Sequence, residues 1–282
     1  MRVLLLGAGG MLARDLRATA PPQADLLALT RRDLDVADEV SLAGVLHRER
    51  PAVVLNAAGY TRVDDAERDQ ATAFAVNARA PGSIGRAAAA IGAVVVHFSS
   101  DYIFDGDRRV PYREDDAPHP LSVYGASKVE GERALQASGA EHLIIRTQWL
   151  FGLHGRSFPR TMWERAHRRA PTRVVADQTG RPTCTEDLAR ATWTLIGLGA
   201  RGVLHVANSG MATWYDVARE VFQAAGAAEL VSPCTTAEYP SPARRPAWSV
   251  LDTGRYEAFS RWPLPPWTQA MERFLRRLAE EP

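Results

Sequence analysis

An apolar run that breaks directly into glycines is the feature that most restricts how this chain folds. Residues 3–6 are Val-Leu-Leu-Leu, continuous rather than alternating, and read as a strand buried on both faces. Gly7-Ala8-Gly9-Gly10 follows, and a helical pattern then fills 11–19 until Pro21-Pro22 stops it. A second strand reads over 26–29. Strand, glycine turn, helix and strand make a βαβ unit. The turn sets bare backbone beside the N-terminal amides of a helix, which suits a pyrophosphate. Gly7 and Gly10 have the spacing for this, and Ala13 stands where a third glycine might allow close helix packing.

The alternation continues. Strands are expected over 52–55, 93–98 and 143–146, with helices over 67–80, 82–91 and through Tyr124. Residues 1–152 are therefore expected to form an α/β, Rossmann-like, doubly wound parallel sheet. Beyond Phe151 the pattern loosens: helix 158–168, strand 173–175, helix 186–198, strand 203–206, helix 214–225, a proline-rich surface loop at 234–246 and a terminal helix at 272–280. Residues 153–282 are expected to form mainly a smaller second domain, with 172–207 returning to the first sheet. The tryptophans of this half, Trp193, Trp214, Trp248 and Trp262 among them, read as packing residues.

Composition removes several classes of function. A formal net charge of +1 gives no case for a nucleic acid or a membrane as partner. Arg156, Arg160, Arg165, Arg168 and Arg169 read as a solvated helix face. Two cysteines, Cys184 and Cys234, make neither a disulfide framework nor a zinc site. The opening apolar run is too short for a signal peptide, and no stretch approaches the ~20 apolar residues of a membrane span. A cytoplasmic protein is expected.

The second strand runs into Thr30-Arg31-Arg32, where an NAD site usually offers a carboxylate to the ribose. Two guanidiniums suit a 2′-phosphate, so NADPH is expected over NADH. Asp35 and Val36 stand where they can close over the adenine. The next strand ends in Asn56-Ala57-Ala58-Gly59-Tyr60, small residues that let a cofactor lie against backbone, and the fourth ends in Ser99-Ser100-Asp101-Tyr102. That carboxyl edge is where open α/β sheets bind ligands. Lys128 is the only lysine in the chain and lies four residues after Tyr124. On a helix the two share a face. An ammonium beside a phenol favours the phenolate and is expected to lower its pKa towards the range of a general acid or base.

Six further strings stand out: Asn56 to Ala66 (NAAGYTRVDDA), His97 to Phe104 (HFSSDYIF), Tyr124 to Lys128 (YGASK), Arg146 to Trp149 (RTQW), Asp177 to Thr183 (DQTGRPT) and Thr213 to Val217 (TWYDV). With the glycine turn, they make a chain that resembles the extended short-chain dehydrogenase/reductases and, within them, the dTDP-4-dehydrorhamnose reductase family. The resemblance implies NADPH-dependent reduction of the 4-keto group of dTDP-4-dehydro-L-rhamnose. Tyr124 would be the general acid, Lys128 would tune it and hold the nicotinamide ribose, and Ser100 would hydrogen-bond the carbonyl, since strand alternation lets only one of Ser99 and Ser100 face the site. Gly10, Met11, Arg31, Asp35, Val36, Gly59, Tyr60 and Thr61 would line the cofactor. Val63, Asp101, Tyr102 and Trp149 would meet the sugar nucleotide, and Arg244 or Arg245 its diphosphate.

Some members of that family form a metal-bridged dimer through acidic residues. Asp15 and Glu186 match two of those positions, but Arg277 stands at the third, which argues against a bound metal and for a monomer or weak dimer; Glu280 and Glu281 could substitute only with a shifted helix. Three other readings stay open: a 4-ketoreductase of an antibiotic deoxysugar pathway, an epimerase or dehydratase of the same superfamily that recycles its cofactor, and a non-catalytic NADP-binding regulatory subunit.

Overall fold

The computed structural model describes residues 1–280; Glu281 lies outside them. Five strands of the first half, β1 (Arg2–Leu6), β2 (Asp25–Leu29), β3 (Val53–Asn56), β4 (Val94–Ser100) and β5 (His142–Thr147), join with Gly202–His205 in one six-stranded sheet. Its order from one edge is Gly202–His205, β5, β4, β3, β1, β2, and every pairing is parallel. The chain runs from β1 to β2 on one side and from β3 to β5 on the other, so the order reverses between the neighbours β1 and β3 and their carboxyl ends open into a crevice there.

Both faces of the sheet are covered. Helix α1 (Met11–Ala18) and the Thr185–Gly197 helix pack one face around Val3, Leu5, Leu55 and Ile145, and Trp193 Nε1 donates to Leu16 O at 2.9 Å. The other face buries Leu4, Leu6 and Val54 under α2 (Glu39–Glu49) and the Ala80–Ala89 helix. Helix α2 is absent from the sequence expectation. Leu42 and Leu46 are its only buried side chains, one turn apart, and an Asp38 cap bonded to Ser41 N starts it. So narrow an apolar stripe gives little periodic signal.

The expected 67–80 and 82–91 helices are instead short helices at Val63–Ala66 and Gln70–Phe74, a π-helical stretch Ala75–Arg79, and Ala80–Ala89 running on without a break. Pro81 sits where the π-helical stretch gives way to that last segment.

The second half has its own core, built on Phe151, Met162, Val217, Phe222, Trp267 and Phe274. Thr172–Val175 pairs here with Val231–Cys234 and does not enter the large sheet; of residues 172–207 only Gly202–His205 pairs within it. Cys234 therefore ends a strand where a loop was expected, and the terminal helix begins at Trp267, before residue 272. No helix among the described residues is long and apolar enough to cross a membrane.

Candidate active site

The carboxyl ends of β1, β3, β4 and β5 open into a cavity of about 610 Å³ that reaches across to the second half. On one side it is lined by Gly10 and Met11 of the turn, Ala57, Ala58 and Gly59 after β3, and Thr61 and Val63 beyond. Gly7 supports this side from behind. Its φ is +76°, and a Cβ there would stand 2.6 Å from Ala58 N, so the turn closes on the neighbouring strand end only with glycine. A Cβ on Gly9 would meet nothing within 4 Å, and Gly10 caps α1 without a side-chain bond. Exposed main chain and unoccupied helix amides fit an extended phosphate-bearing ligand.

The middle of the cavity holds Ser100, Asp101, Tyr102, Tyr124 and Lys128. Ser122 caps the Val123–Gln136 helix that carries Tyr124 and Lys128, accepting from Gly125 N at 3.2 Å. That helix seats closely because its glycines have no Cβ: one at Gly125 would lie 2.1 Å from Tyr102 O, and one at Gly131 2.0 Å from Asn77 O. Glu132, one turn beyond Lys128, binds the Arg146 guanidinium at the end of β5, with a closest approach of 2.7 Å. Both side chains are buried, so the pair fixes helix against sheet.

Lys128 Nζ donates to Phe98 O at 2.6 Å. Burial pulls its pKa down to about 8, opposed by the Glu132 carboxylate. Burial likewise pushes the Tyr124 phenol up to about 12; a hydrogen bond from Ser100 opposes the rise and Asp101 adds to it. The expected lowering of the phenol is therefore not seen here, because desolvation of the would-be phenolate outweighs the opposing hydrogen bond with Ser100. Asp101 is pushed up to about 7 by burial, against the Ser249 and Ser100 hydroxyls. Ser100 Oγ donates to Asp101 Oδ1 at 3.1 Å and accepts from Tyr102 N at 3.2 Å. Ser99 also reaches the cavity wall, but its Oγ is buried without a partner, so alternation does not divide the two serines as simply as expected.

The far side is aromatic. Trp149 sits at φ 48° over Gly180 and stacks on Trp214 with ring centroids 3.7 Å apart and planes 8° from parallel. Phe158 meets Trp214 edge-on at 4.8 Å. Thr147, Gln148, Pro182 and Arg156 join this side. Thr147 Oγ1, Gln148 Nε2 and Trp149 Nε1 are buried without hydrogen-bond partners, a cost of roughly 1–3 kcal/mol each unless a ligand meets them.

Several expected residues lie outside the wall. Asn56 stands behind it, with Nδ2 3.0 Å from His97 Nδ1 and Oδ1 accepting from Ala58 N. Tyr60 is buried, its main chain clamped by Asn77, which accepts from Tyr60 N at 2.8 Å and donates to Tyr60 O at 2.9 Å. Asn77 lies in the π-helical stretch and also reaches Ser127 Oγ, a role no spacing in the sequence signalled. Val36 is 7% exposed and packs into the core beside Leu34, so its side chain is not free to cover an adenine. Arg31 and Asp35 pair at 3.5 Å on the surface beyond β2, whose last residue, Leu29, accepts from Ala8 N of the glycine turn. Arg244 is exposed and lies off the cavity wall; Arg245 turns inward and holds Asp64 by two bonds at 3.0 and 2.8 Å. At the dimer positions Arg277 donates to Glu186 at 2.8 Å, and Thr185 Oγ1 donates to Asp15.

The model of the RmlD substrate binding domain family matches residues 1–280. A probable dTDP-4,6-dihydroxy-2-methyloxan-3-one 4-ketoreductase of Streptomyces antibioticus is 44% identical over 100% of this chain and 97% of its own length. The dTDP-4-dehydrorhamnose reductase of Sinorhizobium fredii is 37% identical over 100% and 99%. Among solved structures, a dTDP-4-dehydrorhamnose reductase of Bacillus anthracis in complex with NADP superposes with a TM-score of 0.95 at 33% identity, over 98% of this chain and 99% of that one.

Proposed function

From the premise that the chain belongs to the RmlD substrate binding domain family, we propose that it is an NADPH-dependent oxidoreductase that reduces the 4-keto group of a dTDP-4-keto-6-deoxy sugar, with dTDP-4-dehydro-L-rhamnose as the substrate. The observation that carries this is the meeting of Ser100, Tyr124 and Lys128 in one cavity with a backbone wall made from the glycine turn. Residues 1–152 hold the dinucleotide, and 153–282 mainly hold the sugar nucleotide.

NADPH, when bound there, would supply the hydride for the carbonyl carbon. As negative charge grows on the carbonyl oxygen, Tyr124 gives it a proton and the Ser100 hydroxyl donates a hydrogen bond. The phenol is a reluctant acid in a dry site, so the phenolate needs a partner; protonated Lys128, one helical turn away, is the cation available to it. Gly10 and the amides of α1 receive the dinucleotide phosphates, Ala57, Ala58 and Gly59 leave room for its length, and Arg31 and Arg32 sit where a 2′-phosphate would meet them.

A second reading has a specific observation behind it: the 44% identity to the Streptomyces antibioticus 4-ketoreductase, which favours another dTDP-4-keto-6-deoxy sugar as substrate. The test measures NADPH oxidation with dTDP-4-dehydro-L-rhamnose, with its unepimerised precursor, and with dTDP-4,6-dihydroxy-2-methyloxan-3-one. Fastest turnover of the first supports the rhamnose reading, and fastest turnover of the third supports the second. One NADPH consumed per product excludes an epimerase or dehydratase. No oxidation with any of the three rejects the enzyme reading and leaves the regulatory subunit.

A further inference from the structure

In sequence Arg156 reads as part of a solvated helix face, and the substrate diphosphate falls to Arg244 or Arg245. Arg244 is exposed and off the cavity wall, whereas Arg156 is on it. Among the described residues it is the only arginine in that wall, and Lys128, the one lysine in the sequence, is buried and bonded to Phe98 O.

Other arginines of the same half are engaged. Arg160 donates to Leu153 O, Arg165 to Thr172, Arg169 to Glu229, Arg173 to Glu238 and Arg245 to Asp64. Arg156 has no hydrogen bond or ion pair among the described residues. Its guanidinium therefore offers five uncommitted donors in a planar fork, the geometry that matches a phosphate bidentately. Its place in the fold narrows which phosphate. It follows Gly155, at φ 110°, and precedes Ser157, the cap of the Phe158–His167 helix, whose first two residues also line the cavity. That puts it on the Trp149–Trp214 side, in the second half, whereas the glycine turn and α1, suited to the dinucleotide phosphates, belong to the first half.

We propose that Arg156 is the diphosphate-binding residue for the nucleotide sugar, closing on its phosphates from the rim of the aromatic wall. This rests on the reading above that a dTDP-sugar is the substrate. TDP binding by the full-length protein, followed calorimetrically, tests the inference without turnover. Arg156→Ala is expected to weaken TDP about tenfold to a hundredfold, the loss of one or two charge-assisted bonds. Arg156→Lys should recover part of it, because the charge returns without the fork. NADPH affinity should be unchanged, and KM for the dTDP-sugar should rise with kcat nearly constant. Unchanged TDP affinity in Arg156→Ala would overturn the inference; so would an equal loss of NADPH affinity, which would give the residue to the cofactor. If wild-type protein binds TDP through Arg156 but reduces no 4-keto sugar, the inference stands and the reductase reading fails.

Discussion

The two sides of the cavity are built from different materials. The side formed by the glycine turn and the end of β3 is main chain: Gly9 and Gly10 present bare backbone, and Gly7 lets the turn approach Ala58 to a distance no Cβ would allow. The opposite side is side chain: Trp149 and Trp214 stack across a sequence gap of 65 residues, with Phe158 and Arg156 beside them. A backbone wall suits a ligand whose phosphates and length are always the same. A side-chain wall can be redesigned one residue at a time, which suits discrimination among sugars. The Val123–Gln136 helix lies between, tied to the sheet by Arg146–Glu132 and to the β3 end through Asn77.

The largest expected effect separates the chemistry from both walls. Tyr124→Phe should lower kcat about 10²- to 10⁴-fold, the range for loss of a general acid, while NADPH and TDP bind as before. Stopped-flow turnover and calorimetric titrations check the two halves of that statement. Wild-type turnover in the variant would remove Tyr124 from the reaction.

The two walls also differ in how legible they are in sequence. The backbone wall rests on local signals: an apolar run, glycines at fixed offsets and a helix start, all within 20 residues, so fold class and turn were readable. Tyr124 and Lys128 were readable because the i, i+4 rule is local and the lysine is unique. Arg156 does not stand out in sequence because its neighbours are also arginines, and only tertiary structure separates the one at the cavity from Arg160, Arg165 and Arg169, which bond elsewhere. The Trp149–Trp214 stack depends on a long-range meeting that no periodicity encodes. Asn77 was missed because an asparagine inside a helix is ordinarily unremarked, and its clamp on Tyr60 is made from the π-helical stretch Ala75–Arg79, 17 residues further along the chain.

The contrast between walls makes a quantitative forecast: one methyl on the backbone side should cost more than a whole indole on the other. Gly7→Ala forces a left-handed alanine and sets its Cβ against Ala58 main chain, which cannot swing aside. Left-handed strain of about 1–2 kcal/mol and overpacking of about 1–3 kcal/mol together suggest a loss near 3 kcal/mol in stability, with weakened NADPH binding. Urea unfolding and NADPH titration measure both. A loss below 1 kcal/mol would mean the turn has slack and the wall is less rigid than its contacts imply.

Next in size is a pH effect that belongs to the Tyr124–Lys128 helix. With Lys128 at about 8 and Tyr124 at about 12, the lysine loses its proton first as pH rises. The free enzyme should therefore show kcat/KM falling about tenfold per pH unit above roughly pH 8, long before the acid itself is exhausted. The stability slope has the opposite sign. The folded pKa of Lys128 lies below its unfolded value near 10.4, so the unfolded chain holds more protons between those two values. This group's contribution to stability therefore rises with pH across that window. Activity that stays flat to pH 10 would show that Lys128 does not act as a cation.

Trp214→Ala is the matching test on the aromatic wall. It removes the partner of Trp149 and the ring that Phe158 touches edge-on. An aromatic pair is worth about 0.5–1.5 kcal/mol beyond its buried area, so KM for the dTDP-sugar should rise roughly threefold to tenfold with NADPH affinity unchanged. A larger change in NADPH affinity than in sugar KM would erase the division of labour between the walls.

The smallest expected effect lies at the outer end of the backbone wall. Arg31 and Arg32 are exposed, and Arg31 is loosely paired with Asp35 at 3.5 Å. Their contact with a 2′-phosphate would be made in water, where Coulomb attraction is weak and screened by salt. Replacing both with serine should therefore weaken NADPH only about fivefold at low salt and less at high salt, while NADH affinity stays constant, because NADH has no phosphate there to lose. Titrating the two cofactors at two salt concentrations reads this directly. An equal loss for both would place the arginines on the shared adenosine or pyrophosphate, and cofactor choice would then have to come from the main-chain wall itself.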